Sequence, residues 1–346
     1  MARPGPRRGP RTGERDTSRM IRRYLWLAVQ GVISVALLTW IFRGLDRHAF
    51  SALFADLPLW FYVISLAVVL GGLALYAWRW WLVLTITGAE VPLSTALQQY
   101  FIGVFVNNFL PSTVGGDMAK VYYIGRQHGY RAVAASVVVD RVLGVGILAI
   151  LATGAAWLSS PDSPRLVASR LVVTGIAAAL TVVVVLVVFG TGGLARWLAP
   201  LGPRAVSIAT YAQQFRVDMA VPLQQPVVMA QAIFAVLTYF VCMTLVYLLF
   251  LTVHLIALPS FATLFGVVAT TAVLSNVPIS LNGLGVREQL HVWLLAPLGV
   301  PTEVALAISL LMFAHLLVAS VVGLVLWLRM PALPADAEPQ LTPYST

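Results

Sequence analysis

Cysteine is almost absent from this sequence, because Cys242 is its single example. One thiol excludes an intramolecular disulfide framework and a metal site built from several thiolates. Cys242 lies within an apolar run, where the ordinary interpretation is a small buried side chain. We therefore expect neither a metal nor a cofactor.

Charge is also scarce. Charged residues make up 10% of the 346 residues, whereas hydrophobic residues make up 60%. The hydrophobic residues form repeated runs long enough to cross a bilayer, which takes about 20 residues. The net charge of +9 comes from arginines in the N-terminal tail and in short connections, which is typical of membrane topology signals. The composition predicts a multi-pass membrane protein and argues against nucleic acid as a partner.

The apolar runs predict an all-α polytopic membrane protein with about six full transmembrane helices and two broken, re-entrant helical hairpins in an inverted-repeat arrangement. The predicted spans cover residues 21–42, 59–84, 132–158, 166–189, 226–254 and 302–328. Residues 43–58 are predicted as a short outer loop. The connection at 190–225 is predicted as a cytoplasmic loop with an amphipathic stretch, too short for a soluble catalytic domain.

The chain divides into two tails around one transmembrane domain. We expect residues 1–20, which are basic and rich in Pro and Gly, and the Pro-rich residues 329–346 to be disordered. The transmembrane domain covers 21–328, with a hairpin at 94–131 in its first half (21–190) and a hairpin at 261–299 in its second half (226–328). Because the N-terminal tail is rich in arginine, we expect the cytoplasmic membrane as the location and both termini on the cytoplasmic side.

The first hairpin is marked by residues 107–120, which read N-N-F-L-P-S-T-V-G-G-D-M-A-K. Proline and paired glycines break the apolar segment here, and charges follow at once, an arrangement that is costly in lipid unless the backbone lines a cavity. The residues that we assign to a binding site are Asn107, Asn108, Pro111, Ser112, Gly115, Gly116, Asp117 and Lys120.

Two interpretations of this first motif stay open. In one, Ser112 caps a new helix whose exposed amides bind an anion such as phosphate, and the glycines let a ligand approach the backbone. In the other, Asp117 complements the dipole of a capped amphipathic helix and Lys120 lies at the lipid surface.

The second hairpin is marked by residues 276–288, which read N-V-P-I-S-L-N-G-L-G-V-R-E and repeat the plan of Asn, Pro, Ser, paired glycines and opposite charges. Glycine-rich turns and an arginine fork suit phosphate, and Glu288 is placed to orient Arg287. Interruptions in both halves predict a transport-type site where the hairpins meet. The candidate residues are Pro278, Ser280, Asn282, Gly283, Gly285, Arg287 and Glu288.

Further candidates lie within the spans. Asp140 and Arg141 diverge by about 100° on a helix, so at least one should reach another helix or a polar cavity; an interhelical structural ion pair is the alternative. Arg79 either belongs to an interfacial aromatic belt or turns inward to meet an anionic headgroup. We expect His291 and His315 to be packed or interfacial.

These motifs, together with V-D-R-V-L-G at 139–144, resemble the flippase-like family named for the transmembrane region of lysylphosphatidylglycerol synthase. The resemblance covers about residues 21–328 and implies a multispanning fold with re-entrant hairpins and a role in lipid flipping or envelope lipid assembly. Lys120 stands where the family commonly has arginine, and Asn282 where it commonly has glycine. The sequence contains no aminoacyl-transferase domain, so we do not expect lysylphosphatidylglycerol synthesis.

The leading hypothesis is a lipid translocator that moves an anionic phospholipid or a polyprenyl-phosphate-linked lipid across the membrane. Its partners would be lipids with anionic headgroups, with envelope glycolipid enzymes as further candidates. One alternative is a membrane-embedded transferase that uses a lipid-linked donor and a carboxylate such as Asp117 as base. Another is a non-catalytic scaffold for envelope enzymes, in which the polar breaks only pack the bundle.

Overall fold

The computed structural model describes residues 29, 31–37, 39–40, 43, 47–109, 115–159, 163–189, 203–277, 280 and 283–330. The N-terminal tail predicted at 1–20 and most of the C-terminal tail lie outside these residues. So does most of the first predicted span, although its residues 31–37 are helical. The tail predictions therefore stay predictions.

Helices form nearly all of the described chain, and no strand occurs in it. They are α1 (Arg47–Ala55), α2 (Leu59–Ile86), α3 (Leu93–Phe109), α4 (Gly115–His128), α5 (Tyr130–Leu158), α6 (Pro164–Phe189), α7 (Pro203–Leu223), α8 (Pro226–Val253), α9 (Phe261–Ser275), α10 (Val286–Leu295), a 3-10 turn (Ala296–Leu298) and α11 (Thr302–Leu328).

Five of these helices, α2, α5, α6, α8 and α11, are long and apolar enough to cross a membrane. The ends of each lie within two residues of the predicted span, because a long uninterrupted apolar run leaves little freedom in where the helix begins and ends. The all-α polytopic fold is thereby confirmed, and the protein is a multi-pass membrane protein.

Lipid-facing surface is clearest on α6. Its large apolar side chains Val182, Val183, Leu186 and Phe189 are all exposed. In water such a continuous apolar face would be a strong liability, whereas lipid tails are as apolar as the side chains themselves. The exposure therefore fits a helix that packs on the bundle with one side and on lipid with the other.

The connection predicted as a loop at 43–58 is wrong in part, because Arg47–Ala55 forms helix α1. Its nine residues are too few for a span, and the apolar Phe50 and Phe54 pack against the buried core. Helix α7 lies within the predicted cytoplasmic loop. The Arg131 guanidinium of α5 donates to Asp218 of α7 over 2.7 Å, which fastens this helix to the bundle.

The two halves of the chain repeat one order of elements. A long span, a short apolar helix, a second short helix and another long span follow one another as α2–α3–α4–α5 and as α8–α9–α10–α11. Helix α3 packs most extensively on α11, α9 on α5, and α2 on α8. Each half therefore supplies the final span against which the first short helix of the other half packs.

Candidate functional site

A cavity of about 380 Å³ lies where the two halves meet. Its wall includes side chains from α2, α3, α4 and α5 of the first half and from α8, α9, α10 and α11 of the second half. Charged side chains from both motifs and from the spans converge on it: Arg79, Asp117, Lys120, Asp140, Arg141 and Arg287.

Asp117 is the centre of the first cluster. It lies in the first turn of α4, and its Oδ2 accepts a hydrogen bond of 2.5 Å from Arg141 Nε of α5. Its Oδ1 accepts from Lys120 Nζ over 3.3 Å. The Lys120 ammonium also lies 4.0 Å from the ring centroid of Tyr100 and 4.9 Å from that of Trp80. One carboxylate therefore binds two cations, Lys120 of its own helix and Arg141 of α5.

Lys120 is buried and does not lie at the lipid surface. The neighbouring Asp117 carboxylate balances the charge of its ammonium. Two aromatic faces add a cation–π attraction. The second interpretation of the first motif, which placed Lys120 at the lipid surface, is wrong in this respect because α4 turns the side chain towards α3.

Arg79 forms the second cluster with Asp140. Its Nε donates to Asp140 Oδ1 over 2.7 Å, and its Nη2 donates to the Asp140 carbonyl over 3.2 Å. The residue is only 4% exposed, so the interfacial-belt interpretation does not hold. Its Nη1 is buried and has no hydrogen-bond partner among the described residues. The guanidinium therefore keeps one donor available beside the cavity.

Adjacent residues Asp140 and Arg141 reach different helices, as their divergence on α5 predicts. Asp140 pairs with α2 and Arg141 with α4. These are interhelical ion pairs, the structural alternative, and they also line the cavity. The same side chains therefore form structural ion pairs and line a polar cavity.

Arg287 is held from behind by a fully buried carboxylate. Its Nη2 and Nε donate to Glu288 Oε1 over 2.6 and 3.1 Å. The other carboxylate oxygen, Oε2, accepts from the backbone N–H of Gly285 over 2.6 Å. Gly285 has a φ of 83°, which a residue with a side chain rarely adopts. The turn thus fixes Glu288, and Glu288 fixes the guanidinium.

His291 is buried, as predicted, but it also lines the cavity. Its Nδ1 is 2.8 Å from the Arg287 carbonyl, which only accepts, so Nδ1 carries a proton. In the neutral ring, Nε2 then accepts from the Tyr247 hydroxyl over 2.6 Å. His315 is buried beside Ser65, with 3.3 Å between Nε2 and Oγ.

Other residues of the first motif hold helix α3 against α4 and α11. Asn107 lines the cavity, and its Oδ1 accepts from the Gly116 N–H over 2.7 Å. A Cβ at Gly116 would overlap the Gly103 carbonyl, so the close approach predicted for a ligand is made instead by α3. Asn108 donates to Ser320 of α11 over 2.5 Å.

The remaining predicted site residues do not reach the described wall. Gly115 begins α4, Gly283 has a φ of 76°, and Ser280 is buried with no partner for its hydroxyl among the described residues. Four further predictions lie outside the described residues: Pro111, Ser112, Pro278 and Asn282.

The sequence interpretation missed the aromatic part of the wall. Tyr76, Tyr100, Tyr239 and Tyr247 all line the cavity, together with the hydroxyl-bearing Thr271. Tyr239 lies at the middle of α8, whereas tyrosines of an interfacial belt lie at the ends of a span. The mid-span position of Tyr239 is therefore the sequence feature from which its place in the wall could have been predicted.

The wall suits an anionic group. Four cationic side chains face two carboxylates, and Glu288 behind the wall is a third, which leaves an excess of one positive charge. Within the described part of the chain, no three His, Cys, Asp or Glu side chains come together as a potential metal site. The side chains of the wall can therefore bind a ligand through charge-assisted hydrogen bonds.

Comparisons with known proteins identify the family of the chain. A sequence model of the family described as lysylphosphatidylglycerol synthase TM region matches residues 27–323, which contain both motifs and every residue that lines the cavity. The UPF0104 membrane protein PH1989 of Pyrococcus horikoshii is 27% identical over 170 residues, or 48% of this chain and 49% of that protein. The match thus spans about half the length of this curated relative.

Proposed function

The chain belongs to the family of the lysylphosphatidylglycerol synthase transmembrane region, and from that premise we propose that it translocates an anionic lipid between leaflets. The lipid is an anionic phospholipid or a polyprenyl-phosphate-linked lipid that serves envelope lipid or glycolipid assembly. The headgroup binds in the central cavity while the acyl or prenyl tail stays in the bilayer. The protein works in the cytoplasmic membrane with both termini on the cytoplasmic side.

One observation carries this proposal: both interrupted helix pairs contribute to a single cavity that has an excess of positive charge. A purely structural polar network would be expected to pair its charges completely. Here the buried Arg79 Nη1 has no partner among the described residues, and Arg287 presents its guanidinium from the opposite half. An anionic headgroup satisfies both.

Translocation requires that the cavity open alternately to the two faces. The two short helix pairs, α3–α4 and α9–α10, are proposed to be re-entrant hairpins that enter from opposite faces. The 17 residues of α3 extend about 25 Å at 1.5 Å per residue, less than the hydrocarbon core of about 30 Å. Rocking of one half against the other would then expose the same cations to each leaflet in turn.

The test is leaflet exchange in liposomes. We would reconstitute the full chain with fluorescent or spin-labelled anionic lipids, including a prenyl phosphate, and compare wild type with Arg287→Ala. We expect exchange above that of empty liposomes, and at least a tenfold loss in the variant, because a cation on the headgroup path is removed.

Two further variants separate function from folding. Arg287→Ala leaves the buried Glu288 without its cation, whereas the double variant Arg287→Gln with Glu288→Gln removes both charges and should fold. Arg131→Gln is the matched control, because Arg131 also forms a 2.7 Å ion pair but does not line the cavity. Loss in the double variant with retention in Arg131→Gln supports the proposal. No exchange of any lipid by folded wild-type protein would favour the transferase or scaffold.

A further inference from the structure

The cavity is too large, and too rich in neutral polar groups, for a phosphate alone. Its volume of about 380 Å³ falls within the range of about 300–1,000 Å³ that is usual for pockets binding small organic molecules. Phosphate has five heavy atoms and fills only a small part of this space. The headgroup must therefore carry further atoms beyond the anion, or the cavity stays largely hydrated.

Thr271 of α9 shows what those further atoms should be. The residue is 1% exposed, lines the cavity and has a hydroxyl without a hydrogen-bond partner among the described residues. It comes from the opposite half to Arg79, whose Nη1 is likewise unpartnered. A hydroxyl both donates and accepts, so it can pair with a ligand hydroxyl, whereas the guanidinium only donates and pairs best with an anionic oxygen.

Aromatic side chains complete the neutral part of the wall. Tyr76 and Tyr239 meet edge to face with ring centroids 5.2 Å apart, one from each half, and both line the cavity. Asn276 lines it as well; its Nδ2 donates to the Ala272 carbonyl, which leaves Oδ1 as an acceptor. Amphipathic rings beside uncharged donors and acceptors suit the alternating C–H and O–H surface of a sugar or polyol.

We propose that the headgroup is a phosphate bonded to a sugar or another polyol, an inference that rests on the proposed function. Arg79, Arg141 and Arg287 bind the phosphate, and Thr271, Asn276 and the tyrosines bind the hydroxyls. A headgroup without hydroxyls leaves these neutral groups unpaired, and a site built for hydroxyls discriminates against such analogues.

The test compares two lipids of equal charge. Phosphatidylinositol and phosphatidylmethanol each carry one phosphodiester, but only the first carries hydroxyls. We would titrate each into nanodiscs that contain the full chain and derive an apparent Kd from the thermal stabilisation. The expected Kd for phosphatidylinositol is about tenfold lower, the effect of two neutral hydrogen bonds.

Variants then locate the preference. Thr271→Val and Tyr239→Phe should each reduce it about threefold, because each removes one hydroxyl. Thr244→Val is the matched control: Thr244 is buried, bonds the Phe240 carbonyl and does not line the cavity, so its substitution should leave the preference unchanged. Equal Kd values for the two lipids in wild type, or a preference that stays about tenfold in Thr271→Val, would overturn the inference.

A competition experiment with soluble inositol 1-phosphate tests whether the site binds a lipid-linked or a free sugar phosphate. Failure of the soluble compound to displace phosphatidylinositol supports a lipid-linked headgroup. Displacement at equal concentration would keep the polyol site but contradict lipid translocation. Conversely, equal binding of both lipids that still requires Arg287 would overturn the polyol inference and leave the translocator intact. Binding of neither lipid would overturn both.

Discussion

Two residues of α5, Asp140 and Gly144, position the Arg79 guanidinium. Asp140 binds it through side chain and carbonyl, and Gly144, one turn further along α5, leaves room for its Nη groups. A Cβ at Gly144 would lie 2.9 Å from Nη2, too close for a non-bonded contact. The absence of a side chain at Gly144 therefore leaves the space that the Arg79 guanidinium occupies.

Gly144→Ala should displace the guanidinium without unfolding the protein, because the end of a flexible side chain moves easily. We expect apparent affinity for an anionic lipid in nanodiscs to fall about tenfold, and the unfolding free energy to change by less than about 1 kcal/mol. Gly146→Ala is the control on the same helix, since nothing lies within 4 Å of its added Cβ. Equal affinities for the two variants would show that Arg79 does not bind the headgroup.

Glu288 is the other residue on which the site depends. It is fully buried, and it joins the Gly285 turn to the Arg287 guanidinium. Removal of one partner from a buried ion pair costs about 3–5 kcal/mol. Because Arg287 also lines the cavity, its charge is not fully buried when Glu288 is replaced, so we expect Glu288→Gln to lose only about 2 kcal/mol of unfolding free energy. Chemical unfolding in lipid-doped detergent measures it.

The control for this prediction is Glu303→Gln. Glu303 stands in the first turn of α11 and forms no ion pair among the described residues. Its substitution should change the unfolding free energy by less than about 0.5 kcal/mol. Equal stability losses in the two variants would mean that the Arg287–Glu288 pair does not support the turn.

At the scale of elements, the contact between α3 and α11 joins the two halves most closely. A Cβ at Gly323 would overlap the backbone of Phe101, lying 2.8 Å from its carbonyl carbon. Small residues at such crossings let helix backbones approach in a membrane, where packing drives association. The close packing of α3 on α11 therefore requires glycine at position 323.

Gly323→Ala should separate α3 from α11, because backbone atoms cannot yield as a side chain does. We expect a loss of about 1–3 kcal/mol in unfolding free energy, the usual cost of overpacking. Gly154→Ala on α5, with nothing within 4 Å of the new Cβ, should instead stabilise by about 0.5–1 kcal/mol. The same assay measures both, and a neutral Gly323→Ala would contradict the close crossing.

The elements were largely predictable from sequence, but their partners were not. Apolar runs gave the ends of α2 and α11 because lipid imposes a length and a composition. The helix Arg47–Ala55 was missed because nine residues carry a weak periodic signal. Asp140 and Arg141 were correctly expected to face different partners. The pairing of Asp140 with Arg79, 61 residues away, depends on tertiary packing that no local sequence pattern contains.

At the scale of the whole molecule, the proposed alternating access requires that the two helix pairs enter the membrane from opposite faces. In a Cys242→Ser background, we expect Glu90→Cys and Tyr130→Cys, which flank the first pair, to react with an impermeant thiol reagent from one face. Leu258→Cys and Thr302→Cys, which flank the second pair, should react from the other. All four residues are exposed. Labelling of all four from the same face would exclude an inverted repeat.

The cavity between the halves is proposed to bind the anionic headgroup of a membrane lipid. The most direct measurement is an experimental structure of the full chain in nanodiscs that contain phosphatidylinositol. We predict a phosphate about 3 Å from Arg79 Nη1, facing Arg287, with the lipid tail leaving the cavity towards the bilayer. A cavity that holds only water or an acyl chain, with every phosphate at the membrane surfaces, would contradict the claim.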